Sequence, residues 1–241
     1  MKKNSSVFML MARSTIYRVL GLLIVMAVAE AGLFWLRLQQ GPVDGNFSLE
    51  AVITESRLVL ACAAIFLCVN VVLSWGSYTI SDTYTAARLS VSGKTVFLWQ
   101  CVYNTLCYLL FWMMQILIGI GLCRMYEVMA PAEYVSNQTV FLAFYRSKFL
   151  HSFLPFEDTW IWFRNALLIV SLGICSSRVP GKNRKIGIGA CILLAATGVF
   201  FVQEIGDMTS VLFLVIAAVL CGIPSVLKAL SKEVPDEPEE A

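Results

Sequence analysis

Val96–Leu122 reads VFLWQCVYNTLCYLLFWMMQILIGIGL, a run of 27 residues with no Asp, Glu, Lys, Arg or His. A helix needs about 20 apolar residues to cross the hydrocarbon core of a bilayer. This run exceeds that length, so it is expected to tilt or to extend into the interface. Moving outward, five further apolar runs stand out: Ile16–Leu36, Leu58–Ser77, Thr159–Ser176, Ile186–Val202 and Met208–Leu227. The expectation is an all-α polytopic membrane protein whose single domain, residues 1–230, has six transmembrane helices. The composition agrees. Hydrophobic residues make up 59% of the 241, charged residues 14%, and the mean hydropathy is +0.76. A soluble domain carries about 25% charged residues, and fewer would not cover this much apolar surface. The net charge of +2 gives no field for a nucleic acid.

Cysteine and histidine narrow the chemistry. The eight Cys sit almost entirely inside apolar runs and form no CxxC pair, so they read as small apolar residues rather than a disulfide framework. The lone His151 rules out paired haem ligands or a two-His metalloprotease motif from this chain. No catalytic residue, metal site or cofactor is expected.

Orientation follows the cations in the loops. With the N-terminus inside, Lys2, Lys3, Arg13, Arg18, Arg88, Lys94, Arg178, Lys182, Arg184, Lys185, Lys228 and Lys232 fall on the inner side, 12 of the 18 Lys and Arg. Both termini are therefore expected in the cytoplasm, in a bacterial plasma membrane. Val19–Val28 resembles a signal-peptide core with Ala27-Val28-Ala29 as a cleavage site. However, the apolar run continues through Leu33-Phe34-Trp35-Leu36, which favours an uncleaved first span. Residues 5–16 read as an amphipathic helix lying on the inner surface before that span. Phe141, Leu142, Tyr145, Phe149 and Phe153 recur at helical spacing and predict an interfacial or re-entrant helix in the longest outer segment. The tail, residues 231–241, is acidic, Pro-containing and expected to be disordered.

Three features carry candidate chemistry. Glu30 lies seven residues inside Arg37, about 10 Å along the helix. An acid at that depth reads either as a proton or cation relay or as half of a helix-to-helix ion pair. Arg164 enters the fourth span from the same side and is the expected partner. Second, Cys101, Asn104, Tyr108, Trp112, Gln115 and Gly119 share one face of the third span. Asn70, Ser74, Ser77 and Ser81 do the same on the second. Polar groups in a bilayer face protein or water, so Asn70, Ser74, Asn104, Tyr108 and Gln115 are candidates to line a route, or else hydrogen bonds that hold the bundle. Third, Ser92-Gly93-Lys94-Thr95 looks like the end of a P-loop, but Arg88 stands where its first Gly is required and no strand precedes it. This chain is not expected to bind ATP, so any ATP-driven work falls to another polypeptide.

The run YTAARLSVSGKTVFLWQCVYN, Tyr84 to Asn104, resembles the cytoplasmic loop and following helix of ABC-2-type transporter permeases. Those proteins often have a Leu-Pro-Val/Ile-Ser-like step here, and this chain has Leu89-Ser90-Val91-Ser92. The order of a surface helix, six spans and two inner termini is similar too. One departure is that the longest outer segment follows the third span rather than the fifth. The resemblance implies a permease subunit, a homo- or heterodimer, energised by a separate cytosolic ATPase subunit. It places Tyr84, Arg88 and Leu89 on the ATPase-coupling loop. The alternatives from the residues are a non-transporting membrane subunit, such as an assembly, sensor or immunity component, and an ion-coupled secondary carrier using Glu30.

Overall fold

The computed structural model describes residues 2–41, 47–81, 92–136, 138–155, 158–178, 191–197 and 207–230. Among these, the chain is helical with no strand. Its elements are α1 (Lys2–Gln39), α2 (Leu49–Glu55), α3 (Leu58–Ser81), α4 (Gly93–Met129), a 3₁₀ turn (Ala132–Tyr134), α5 (Thr139–Arg146), α6 (Lys148–Phe153), α7 (Thr159–Cys175) and α8 (Asp207–Leu230). Residues 191–197 are also helical.

Three helical stretches are long and apolar enough to cross a membrane: Phe8–Gln39, Leu58–Thr79 and Gly93–Met129. Two shorter apolar helical stretches are Thr159–Cys175 and Val211–Pro224. The side chains are distributed as a bilayer requires. Ile24, Val28, Leu60, Val71, Leu98, Leu117, Phe163 and Leu212 are exposed on the outside. Glu30, Asn70, Gln100, Asn104 and Gln115 are buried inside. In water this arrangement would expose an apolar surface far beyond that of a soluble monomer. In lipid it is the stable one, because polar groups find partners only within the bundle.

The local sequence sets the helix ends. The Ser92 side chain caps α4 by accepting from Thr95 N at 3.3 Å, and α4 stops at Met129, two residues before Pro131. Ser48 caps α2 in the same way. The turn from α2 into α3 runs through Arg57 at φ 55°, a left-handed conformation for a residue with a Cβ.

α1 packs against α3 and α4, α4 packs against α7, and α7 packs against α8. Close approach marks two of these contacts. A Cβ on Gly173 would strike Thr105, whose backbone N and Cα lie 2.9 and 3.0 Å from it. A Cβ on Gly76 would strike the Thr15 methyl. α5 and α6 pack across the C-terminal half of α4, with Phe144 and Leu150 against Gly119. That end of the bundle also holds α2, pinned by Arg37 of α1, which pairs with Glu55 and donates to Gly41 O at 2.9 Å.

Two expectations about non-spanning helices need correction. The segment 5–16 is continuous with the first span: α1 runs unbroken for 38 residues, about 57 Å at 1.5 Å per residue. No Pro, and no Gly before Gly21, interrupts it, so nothing in the sequence turns it flat onto a surface. The outer segment is two helices, not one. Ser147 is extended at φ −73°, ψ 113° and separates α5 from α6. Phe141 and Tyr145 are exposed, while Ala143, Phe144, Phe149 and Leu150 are buried. The expected coupling residues Tyr84, Arg88 and Leu89, most of the fifth apolar run and the tail 231–241 lie outside the described residues.

Candidate functional site

The expected polar faces of the second and third spans meet in the interior. Asn70, Ser74 and Ser77 of α3 are buried, as are Gln100, Asn104, Tyr108 and Gln115 of α4. The two helices are adjacent, so their polar stripes form one seam, to which α7 adds its C-terminal end.

The seam is densest at the end where α3 leaves and α4 enters the bundle. Asn104 Nδ2 lies within hydrogen-bond distance of three hydroxyl oxygens, Ser77 Oγ at 3.2 Å, Ser176 Oγ at 3.0 Å and Ser177 Oγ at 3.2 Å, which its two N–H groups share. Ser176 and Ser177 also donate to Gly173 O, and this contact ends α7. Four residues before Asn104, Gln100 Nε2 donates to Ser77 O at 3.4 Å, and Gln100 Oε1 accepts from Arg178 N at 2.9 Å. The Arg178 guanidinium lies 4.3 Å from the centre of the Tyr78 ring. Gln100 and Asn104 therefore tie the last turn of α3, the first turns of α4 and the exit of α7 into one node. In the sequence, residues 82–91 follow α3 and residues 179–190 follow the exit of α7. Gln100, Ser176 and Ser177 were not singled out from the sequence. The available signal was Gln100 one helical turn before Asn104, on the same face.

Toward the middle, Tyr108 OH donates to Asn70 Oδ1 at 3.0 Å, Ser74 Oγ donates to the same oxygen at 3.5 Å, and Asn70 Nδ2 reaches Cys191 Sγ at 3.4 Å. Eleven residues along α4 from Asn104, about 16 Å, Gln115 Nε2 donates to Glu30 Oε2 at 2.8 Å. Glu30 is 0% exposed, and its Oε1 has no hydrogen-bond partner; Gln115 Oε1 and Asn104 Oδ1 are also without one. Among the described residues, these three oxygens are buried without a partner. Buried polar atoms without partners are uncommon in folded proteins, and an acid inside a membrane-spanning helix is costly.

Glu30 and Arg164 do not pair. Glu30 takes the Gln115 amide, while Arg164 donates to Ser152 Oγ at 3.1 Å and to Asn165 Oδ1 at 3.0 and 3.2 Å. The cause is the helix order. α1 sits on α3 and α4, whereas α7 sits on the α4 and α8 side, so matched depth does not bring the two side chains together. Asn165 Nδ2 also donates to Ser152 O at 2.8 Å, which fastens α7 to α6.

A cavity of about 310 Å³ lies between α3, α4, α6, α7, α8 and residues 191–197. Its walls are mostly apolar, with Ala63, Phe66, Phe111 and Leu168 among them, and Tyr108, Trp112, Ser152, Arg164, Asn165 and Thr197 are its lining residues with polar side chains. Among the described residues no group of three or more His, Cys, Asp or Glu could hold a metal ion. All eight cysteines are free thiols.

The chain matches no protein-family model, no curated protein and no solved structure. What the fold and seam define is a helical membrane protein with a hydrogen-bonded polar interior.

Proposed function

We propose that the chain is the membrane-spanning subunit of an ABC-type transporter with six spans and cytoplasmic termini. In this reading it acts as a homo- or heterodimer driven by a separate ATPase subunit. The observation that carries this reading is the Gln100–Asn104 node. In the proposed orientation, residues 82–91 and 179–185 face the cytoplasm, and the helices that lead into them meet at this node. A partner that closes on ATP does work on a membrane subunit only through contacts that differ between two states. A push on either loop is passed through Gln100 and Asn104 to α3, α4 and α7 together, rather than lost in a flexible stem. The resemblance of Tyr84–Asn104 to ABC-2-type permeases supports the same assignment and makes Tyr84, Arg88 and Leu89 the contact surface.

The test is partner capture and ATPase rate measured together. Arg88→Glu and Leu89→Asp are expected to lower recovery of an ATPase with the tagged chain, or to uncouple its activity from substrate, at unchanged membrane abundance. Wild-type capture and rate in both variants would set the coupling reading aside.

A second reading rests on a different observation. Glu30 is buried in the membrane interior and bonded to an amide rather than to a cation, the setting of a carboxyl group that exchanges a proton or a cation. An ion-coupled carrier would lose transport in Glu30→Gln while keeping its thermal stability, and would need no ATPase.

A further inference from the structure

Among the described residues, Glu30 is an acid without a counter-charge. It is fully buried and belongs to none of their ion pairs. The long helices packed on α1 bring no charge to its level. α3, Leu58–Ser81, contains no Asp, Glu, Lys, Arg or His, and neither do residues 96–122 of α4. On α1 itself, Arg37 pairs with Glu55 of α2, and Arg18 is twelve residues away, about 18 Å along the helix. The charged residues of α2 are Glu50 and Glu55, both acids. The titratable side chain close enough to interact with Glu30 is the buried thiol of Cys62 on α3. A lone carboxylate in such a place bears the full cost of a buried charge, and a group so placed neutralises instead.

Two orphan atoms show what is missing. Gln115 Nε2 donates to Glu30 Oε2 at 2.8 Å, while Glu30 Oε1 and Gln115 Oε1 are both buried without a partner. An ionised carboxyl and an amide oxygen only accept, whereas a protonated carboxyl has one O–H donor. A proton on Glu30 Oε1 therefore turns one orphan into the donor that the other lacks. We propose that Glu30 is a proton-binding site, a neutral acid in the folded protein at neutral pH, closed by Gln115 into an acid–amide pair with two hydrogen bonds. Nε2–H donates to Glu30 Oε2, and Oε1–H donates to Gln115 Oε1. This rests on the buried acid of the second reading above and names its ion. An alkali cation is the rival ligand. Hard cations surround themselves with about six or more oxygens, and membrane carriers draw many of these from interrupted helices. α1, α3 and α4 run unbroken here, so their carbonyls stay in helical bonds, and the Cys62 sulfur suits soft metals. Two side-chain oxygens hold a proton but do not complete a cation shell.

The experiment is infrared difference spectroscopy on the full chain, purified in a non-ionic detergent at neutral pH, wild type minus Glu30→Gln. The wild type should show a carboxylic-acid C=O band that the variant lacks, with equal carboxylate bands in the two. Gln115→Met and Gln115→Leu remove the amide, and two variants are used in case one fails to fold. In either, the acid band should persist and move to higher wavenumber, as an acid does when it loses its hydrogen bonds. Replacing choline chloride by sodium chloride should leave the wild-type band unchanged. A Glu30 carboxylate band in place of the acid band would overturn the proposal. Loss of the acid band on adding sodium would also overturn it and identify a cation site instead. An acid band that stays in place in a folded Gln115 variant would overturn the acid–amide pair. Protonation is read here without transport, so it fails separately from the carrier reading. If Glu30→Gln still transports while the wild type shows the acid band, the carrier reading falls and the proton site stands.

Discussion

At the residue scale, the interior is organised by side-chain amides. Gln115 donates to the Glu30 carboxyl group at 2.8 Å, its one hydrogen bond among the described residues. Gln115→Leu removes that donor and leaves a buried acid with nothing to bond. The expected loss of stability is about 1–3 kcal/mol, read as a lower Tm of the detergent-extracted protein. Glu30→Gln keeps a group that can bond Gln115 and should change Tm far less. Because Arg164 bonds Ser152 and Asn165 instead, the losses in Glu30→Gln and Arg164→Gln should add in the double variant. A coupling energy well above about 0.5 kcal/mol would mean that the two groups do interact. Asn104 contacts three serines on two other helices. Asn104→Ala should cost about 1 kcal/mol, in the range measured for hydrogen bonds between membrane helices.

At the element scale, helix spacing depends on two glycines. Gly173 of α7 meets the backbone of Thr105, which has no rotamer to yield. Gly173→Ala should therefore force α4 and α7 apart and cost about 1–3 kcal/mol. At Gly76 the obstacle is the side chain of Thr15, which is itself held by hydrogen bonds to Met11 O and Tyr103 OH. Gly76→Ala should cost less than Gly173→Ala, and a Tm series on the two variants checks the order. The turn between α2 and α3 predicts the opposite sign. Arg57 at φ 55° is strained as a residue with a Cβ, so Arg57→Gly should raise stability by up to about 1 kcal/mol. An unchanged or lower Tm would show that the Arg57 side chain contributes more than the backbone strain costs.

At the scale of the whole molecule, an apolar exterior around a polar seam was legible from sequence because lipid imposes one rule on every spanning helix. Runs such as Val96–Leu122 have no charged residue to place, and the period of Asn104, Tyr108 and Gln115 puts them on one face wherever that helix packs. The partner of Glu30 was not legible. Depth along a helix can be read from a sequence, but which helices are neighbours depends on packing, and α4 lies where Arg164 was expected. The node was half legible: Asn104 was visible as a polar residue in a span, while Ser176 and Ser177 read as the end of a helix. Topology is tested by reporter fusions at Lys94 and at Asn137, which the six-span account places on opposite sides of the membrane. The central proposal is that an ATPase pushes on residues 82–91 and that the node transmits the push. Its most direct test is a photo-crosslinking amino acid at the position of Arg88, activated in native membranes, with mass spectrometry of the adduct. The account predicts a covalent adduct with a P-loop ATPase, reduced when Gln100→Leu and Asn104→Leu dismantle the node. Capture only of proteins without a nucleotide-binding site, or no adduct from an abundant folded chain, would contradict it.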